Sequence, residues 1–401
     1  MRLGSFEFNR RELAGSVGDF GTLLPLAIGY IVVCGMDPAG FLVMMGLMNI
    51  ATGLIYRLPM PVQPKKVIAV MAIAQRWKPS TIYAAGFGTG LIWLLMAATG
   101  WIQKIANHTP KSVVRGIQIT LGILLGWEGL KMMTGMGTWS AALSGFGSRP
   151  LYLGLGILSI IVVLTLRQSR IAPAGLVLVL LGIVAGSLKG NLLDSLQVGF
   201  KLPPITLFTP GDVWQGMLLA GFAQLPLTAT NAILATSALI KEYWPDRVVP
   251  ERKLALNMGV MNTTTTFLGG MPMCHGAGGL AGQYYFGART GGTNIIEGVI
   301  EIGLGLFFSS AIVGIFSSFP MSIVGAMMAM VGLNLARHAL GLRRKDLAPA
   351  LVTVAISLYT NMAVGFVVGA IVYFGIKLFF RASGRCESDA PLLDLTPDSK
   401  L

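Results

Sequence analysis

Runs of about twenty apolar residues recur along almost the whole chain, beginning near residue 13 and ending near residue 380. A helix needs about 20 mostly apolar residues to cross the roughly 30 Å hydrocarbon core of a bilayer. The connectors between the runs are short and basic, and only 12% of all residues are charged. These features predict an all-α polytopic membrane protein with about fourteen crossings, and they argue against a large soluble helical enzyme.

The basic residues lie at the ends of the apolar runs, for example at 104–115, 241–253 and 337–345, and the net charge is +13. Positive residues concentrate in the cytoplasmic connectors of multi-pass proteins. We therefore expect a protein of the cell membrane, embedded in the lipid bilayer, with both termini in the cytoplasm. The same distribution argues against nucleic acid as a partner. We expect a cytoplasmic segment at 1–12 and, at 381–401, a polar tail too short for a folded domain.

The chain contains an internal duplication. A shift of 213 positions aligns residues 45–60 with 258–273 without a gap, and seven of the sixteen positions are identical. Repeats of seven crossings each place the second copy upside down relative to the first, as in many secondary transporters. We expect the first inverted repeat at 13–200 and the second at 201–380, with broken helices as the third and tenth crossings.

The two odd segments occupy corresponding positions in the repeats and read PMPVQPKK at 59–66 and MPMCHGAGG at 271–279. Proline fixes φ and removes a donor, so each segment should be extended before a helix begins. Pro64 suits the first turn of one helix, and a second helix can follow from Leu280. Helix N-termini carry unpaired N–H groups and partial positive charge, so two that converge would bind an anion. The alternative is that both segments are ordinary kinks from close helix packing.

The candidate substrate-binding residues come from these segments and from one polar helix face. Gln224, Thr228 and Asn231 recur at i, i+4 and i+7 and would either hydrogen-bond an oxyanion or link neighbouring helices. Lys65 or Lys66 would neutralise a dianion, or both would extend to an interface. The full set of substrate-binding candidates is Gln63, Pro64, Lys65, Gln224, Thr228, Asn231, Cys274, His275, Gly276, Ala277, Gly278 and Gly279.

Three residues are candidates for ion coupling: Asp19, His275 and Lys66. Asp19 lies inside the first apolar run, and His275 is the histidine of an apolar segment, where an ionisable group is a functional hypothesis by default. Glu297 and Glu301, one helical turn apart, are a further possible proton relay for which the sequence reveals no partner. The three dispersed cysteines form neither a disulfide framework nor a metal site, so we expect no cofactor, no metal and no enzyme activity.

Several stretches resemble the plant and microbial molybdate transporter family, which is related to the sulfate permease superfamily. They are SVGDFGTLLPL at 16–26, PMPVQPKK, TPKSVVRGIQITLGILLG at 109–126, GFAQLPLTATNAI at 221–233 and MPMCHGAGGLAGQYYFGARTGG at 271–292. The resemblance covers about residues 12–380 and departs from the family at Lys65, where the family pattern (PVQPMK) is apolar.

The resemblance implies two inverted repeats of seven crossings, divided into a core domain (13–104 and 213–316) and a gate domain (111–190 and 320–380). It also implies secondary active transport of a small tetrahedral oxyanion, with molybdate favoured and sulfate or tungstate as related substrates. A sulfate transporter of the same fold and an anion channel are the alternatives. The coupling ion, the direction of transport and a homodimeric state stay open from the sequence.

Overall fold

A computed structural model describes residues 2–18, 20–102, 109–140, 142, 148–166, 174–187, 198–318, 320–337 and 344–382. Strands β1 (Arg2–Leu3) and β2 (Phe6–Glu7) pair at the N-terminus. The helices of the first half are α1 (Arg10–Ser16), α2 (Phe20–Ile28), α3 (Pro38–Tyr56), α4 (Lys66–Gln75), α5 (Pro79–Thr99), α6 (Lys111–Thr134), α7 (Arg149–Leu166) and α8 (Ala174–Ser187). Those of the second half are α9 (Pro210–Tyr243), α10 (Glu251–Thr265), α11 (Ala277–Tyr285), α12 (Gly292–Ser318), α13 (Met321–Arg337), α14 (Arg344–Tyr359) and α15 (Met362–Ala382).

Seven of the described helices are long and apolar enough to cross a membrane: α3, α5, α6, α7, α9, α12 and α15. Shorter apolar helices, among them α4 and α13, lie between them. Lipid-facing backbone must be hydrogen-bonded internally, and a helix achieves this within one segment. The prediction of a helical multi-pass membrane protein is therefore confirmed.

One helix in each half of the chain contains an internal proline that is followed by π-helical residues. Pro25 lies inside α2, which continues as a π-helical turn at Gly29–Val33. Pro226 lies inside α9 and is followed by a π-helical stretch at Thr228–Ala235. Proline removes one backbone donor, and a local π-helical adjustment accommodates the disruption. The LPL motifs that surround both prolines thus occupy similar local structures.

Helices from opposite halves pack against each other through glycines. Helix α3 contacts α12, α5 contacts α10, and α6 contacts α13. A methyl group on Gly46 would lie 2.5 Å from the carbonyl oxygen of Gly298, and one on Gly122 would lie 2.6 Å from that of Gly332. Small residues at such contacts let helix backbones approach closely in a membrane. These pairs interlock the two halves around the broken helices.

The two odd segments meet in the interior of the protein. Strand β3 (Gln63–Pro64) pairs antiparallel with β4 (Met273–Cys274), and the N–H of Lys65 donates to the carbonyl of Pro272 over 2.9 Å. The prediction that Pro64 lies in the first turn of a helix is wrong, because Pro64 belongs to this ladder and α4 begins at Lys66. The start at Leu280 is also wrong: α11 begins at Ala277, so Gly278 and Gly279 lie in its first turn.

Buried asparagines bind the extended backbone of both segments. Asn49 and Asn262, which correspond in the repeat, accept from the N–H groups of Val62 (3.1 Å) and Met273 (2.8 Å). Asn294 exchanges two hydrogen bonds with the backbone of Met60, each 2.8 Å long. Irregular backbone at membrane depth is tolerated only where protein or water satisfies it. The carboxamides meet that requirement here.

Candidate anion-binding site

A cavity of about 540 Å³ lies where the N-termini of α4 and α11 face α9 and the helices α6, α7, α8 and α13. Cavities of roughly 300–1,000 Å³ are typical of small-molecule sites. Five of the substrate-binding candidates line the cavity, together with Lys66: Gln63, Asn231, Ala277, Gly278 and Gly279. The structure therefore brings together residues that are more than two hundred positions apart in the sequence.

The β3–β4 ladder fixes the two helix starts beside each other. The N–H of Leu280 donates to the carbonyl of Gly276 over 3.0 Å, which closes the first turn of α11. The N–H groups of Ala277, Gly278 and Gly279 precede that bond and so have no acceptor within the helix. A methyl group on Gly278 would meet no heavy atom within 4 Å, so the backbone is open to the cavity here.

Gly276, the residue before α11, contacts Gln63 of the other broken segment. A methyl group at Gly276 would overlap the Oε1 atom of Gln63. Gln63 itself lines the cavity. The absence of a side chain at position 276 therefore allows the carboxamide to lie against the second helix N-terminus.

The cavity is electropositive. Lys66 is half-buried at the first position of α4, and Arg337 lies at the end of α13. Among the lining residues that the structure describes, none is acidic. Two side-chain cations and two helix N-termini favour an anionic ligand over a cationic one.

Lys65, His275 and Cys274 are buried outside the cavity lining. The ammonium of Lys65, whose residue is 0% exposed, donates to the hydroxyl of Thr89 on α5 over 2.5 Å. The ring nitrogens of His275 lie 3.3 Å from the carbonyl of Pro61 and 2.9 Å from Oδ1 of Asn257. All three side chains thus pack around the ladder, behind the residues that line the cavity.

The predicted polar face of α9 divides into two parts. Gln224 donates to the hydroxyl of Thr228 over 2.8 Å, and its Oε1 accepts from the N–H of Val67 over 2.8 Å. Gln224 therefore caps the first turn of α4, while Asn231 lines the cavity. Gln224 thus links α9 to α4, as the helix-linking alternative predicts, whereas contact of Asn231 with an oxyanion stays a prediction.

The sequence of the chain matches a known protein family. The family described as "Molybdate transporter of MFS superfamily" matches residues 11–125 and 216–335, which is more than half of the chain. The chain belongs to this molybdate transporter family. "Molybdate transporter 1" of Arabidopsis thaliana is 32% identical over an alignment of 418 positions, which spans 95% of this chain and 91% of the relative.

The transporter shares its fold with solved anion-transporter structures. The transmembrane domain of the bicarbonate transporter BicA of a cyanobacterium superposes with a TM-score of 0.65 at 15% identity, over 92% of this chain and 98% of that domain. SLC26A9 gives a TM-score of 0.69 at 13% identity, over 92% of this chain and 65% of SLC26A9. At these identities the similarity establishes the fold alone.

One wall of the cavity, formed by α6, α7, α8 and α13, was not predicted from the sequence. The polar lining residues on that wall of the transporter are Gln118 on α6 and Asn334 and Arg337 on α13. The signal for Arg337 was present in the basic run at 337–345, which the positive-inside pattern explained. The coupling candidate Asp19 lies outside the described residues.

Proposed function

We propose that this transporter carries molybdate across the cell membrane by secondary active, alternating-access transport. The anion would bind in the cavity between the N-termini of α4 and α11, where Lys66 and the N–H groups of Ala277–Gly279 offer donors. The observation that carries the proposal is the convergence of the two broken helices on one electropositive cavity. Charge-assisted hydrogen bonds to an oxyanion are short and strong, which suits this donor set.

The position of the cavity supports a core that moves against a gate. The helix starts and α9 belong to the proposed core (13–104 and 213–316), whereas α6, α7, α8 and α13 belong to the proposed gate (111–190 and 320–380). At the far end of α4, the guanidinium of Arg76 lies 4.9 Å from the ring centroid of Trp139, which follows α6. Contact at one end and an open cavity at the other is the arrangement expected of one of the two access states.

The proposed topology is two inverted repeats of seven crossings, at 13–200 and 201–380, with both termini in the cytoplasm. The opposed directions of α4 and α11, whose N-termini meet, support the inversion. Arg337 and the basic run that follows it in the sequence support an opening of the cavity toward the cytoplasm. The site residues we propose for substrate contact are Gln63, Lys66, Asn231, Ala277, Gly278 and Gly279.

Uptake of labelled molybdate into proteoliposomes that contain the purified protein tests this function. We expect saturable uptake that unlabelled molybdate and tungstate suppress, because both anions are tetrahedral dianions of similar size. Sulfate, which is smaller, should compete more weakly. Empty liposomes and the variant Lys66→Met provide the controls. Suppression by sulfate as efficient as that by molybdate would favour a sulfate transporter, and non-saturable conductance would favour a channel.

A further inference from the structure

Two buried carboxyl groups connect the broken helices to a single neighbouring helix. Glu297 and Glu301 lie one turn apart on α12 and are only 2% and 4% exposed. Carboxyl groups within a membrane-spanning helix are costly and are characteristic of proton relays and ion pathways. The function proposed above assigns them no role, although the position of the pair links both halves of the anion site.

Glu301 reaches the first broken segment through one asparagine. Its Oε2 accepts from Nδ2 of Asn49 over 2.9 Å. Oδ1 of Asn49 accepts from the N–H of Val62 over 3.1 Å, in the extended stretch that leads to α4. Two hydrogen bonds, through Asn49, therefore connect Glu301 to the backbone that positions Gln63 and Lys66. A change in the charge of Glu301 can affect that backbone through them.

Glu297 contacts the second broken helix directly. Its Oε2 accepts from Nε2 of Gln283, a residue of α11, over 2.9 Å. Gln283 is 0% exposed, and its Oε1 has no hydrogen-bond donor among the residues that the structure describes. An ionised Glu297 accepts from the amide nitrogen of Gln283, whereas a protonated Glu297 can donate to the amide oxygen once the carboxamide rotates. Gln283 can therefore form a hydrogen bond with the carboxyl group of Glu297 in either protonation state.

The hydrogen bonds to Glu297 and Glu301 favour binding of a proton over binding of a metal cation at these carboxyl groups. A metal ion needs lone pairs directed at it, but Asn49 and Gln283 direct N–H groups at the carboxylate oxygens. Two ionised carboxylates one turn apart in hydrocarbon also repel each other, and one proton removes that repulsion.

Other titratable groups lie on the described elements packed against α12, which are α1, β2, α3, α8, α11 and the π-helical turn after α2. They are Glu7, Arg10, Arg11, Glu12, Tyr30, Tyr56, Tyr284 and Tyr285. Lys201, whose N–H donates to the carbonyl of Leu306 on α12, lies on the extended segment before α9 and pairs with Asp37. Arg10 and Arg11 are exposed, and Glu12 accepts from the N–H groups of Arg289 and Thr290 just before α12.

We infer that Glu297 and Glu301 form the proton-binding site that couples molybdate transport to a proton gradient. The inference rests on the proposed function. A proton enters the pair from the side to which the core is open, travels with the core and leaves to the opposite side. The hydrogen bonds to Asn49 and Gln283 transmit the change in charge to the two helix starts that bind the anion.

The test compares gradient-driven accumulation with exchange in proteoliposomes, at a membrane potential clamped to zero. With one pH unit across the membrane, acid outside, coupling to one proton predicts about tenfold accumulation of labelled molybdate by the unaltered protein. The double variant Glu297→Gln/Glu301→Gln should lose this accumulation yet exchange internal for external molybdate at a rate close to that of the unaltered protein. Glu128→Gln, which alters a buried carboxyl paired with Lys131 on α6, should keep the tenfold accumulation.

Tenfold accumulation by the double variant would overturn the inference. So would accumulation by the unaltered protein that follows a sodium gradient and ignores pH, and in that case the proposed function would stand. Absence of both exchange and binding in the unaltered protein would instead overturn the proposed function and the inference with it.

If the double variant fails to fold, two other measurements test the inference. The unaltered protein should take up protons together with molybdate, reported by a trapped pH dye, and Glu297→Asp and Glu301→Asp, which keep the carboxyl groups, should retain part of the pH response. A dye signal that molybdate leaves unchanged overturns the inference.

Discussion

Replacement of Lys66 by methionine is expected to weaken molybdate binding by about 10- to 100-fold, since a hydrogen bond to a charged group contributes roughly 1.5–3 kcal/mol. Lys66 lines the cavity at the first position of α4, where its ammonium adds to the positive end of the helix. Methionine keeps the length and apolar stem of the side chain but removes the charge. Equilibrium binding of labelled molybdate to the purified variant measures the effect.

The adjacent lysine provides a matched control. Lys65→Met removes an ammonium that is buried against Thr89 and does not line the cavity. Methionine has a similar volume, and swaps of similar volume are tolerated best in a packed interior. Because Lys65 does not line the cavity, the affinity should stay within about twofold of the original. If Lys65→Met abolished binding and Lys66→Met preserved it, the roles assigned to the two lysines would be reversed.

Replacement of Gly276 by alanine is expected to weaken molybdate binding about tenfold and to lower the free energy of unfolding by about 1–3 kcal/mol, the usual cost of overpacking a close contact. The new methyl group would overlap Oε1 of Gln63, so the carboxamide must move into the cavity or the two broken segments must separate. Either change disturbs the convergence of the two helix N-termini. Molybdate titration and thermal unfolding in detergent report the two effects separately.

Gly154→Ala is the control for this substitution. Gly154 lies within α7, and a methyl group there would meet no heavy atom within 4 Å. Alanine is favoured over glycine in a helix by about 1 kcal/mol, so this variant should be at least as stable and should bind with unchanged affinity. Unaltered binding by Gly276→Ala would show that the contact with Gln63 has no part in the site.

The paired broken helices could be predicted because their signals are local. Prolines at 59, 61 and 64 and the glycines after Pro272 interrupt apolar runs at corresponding positions of a duplicated sequence. Their convergence is what the proposed inversion of the repeats predicts, and Gln63 lies opposite Cys274 in one antiparallel ladder. The helical structure and the membrane insertion could also be predicted from the sequence, because both depend on the length and apolar character of each run.

The assignment of individual side chains could not be predicted, because it depends on the residue at which each helix begins. Because α4 begins at Lys66, that lysine lies in the first turn and lines the cavity, whereas Lys65 before it has an extended backbone and donates to Thr89. Gln118 and Arg337 were missed because they lie on α6 and α13, which are far in sequence from the two broken segments. Their approach to α4 and α11 depends on tertiary packing, which no local pattern specifies.

We propose that the anion binds between the N-termini of α4 and α11. Anomalous X-ray scattering at the molybdenum edge, from crystals of the purified protein grown with molybdate, tests it most directly. We predict one molybdenum peak in the cavity, with the anion oxygens within hydrogen-bond distance of the Lys66 ammonium and the N–H groups of Ala277–Gly279. A peak elsewhere, with both helix N-termini free of the anion, would contradict the account.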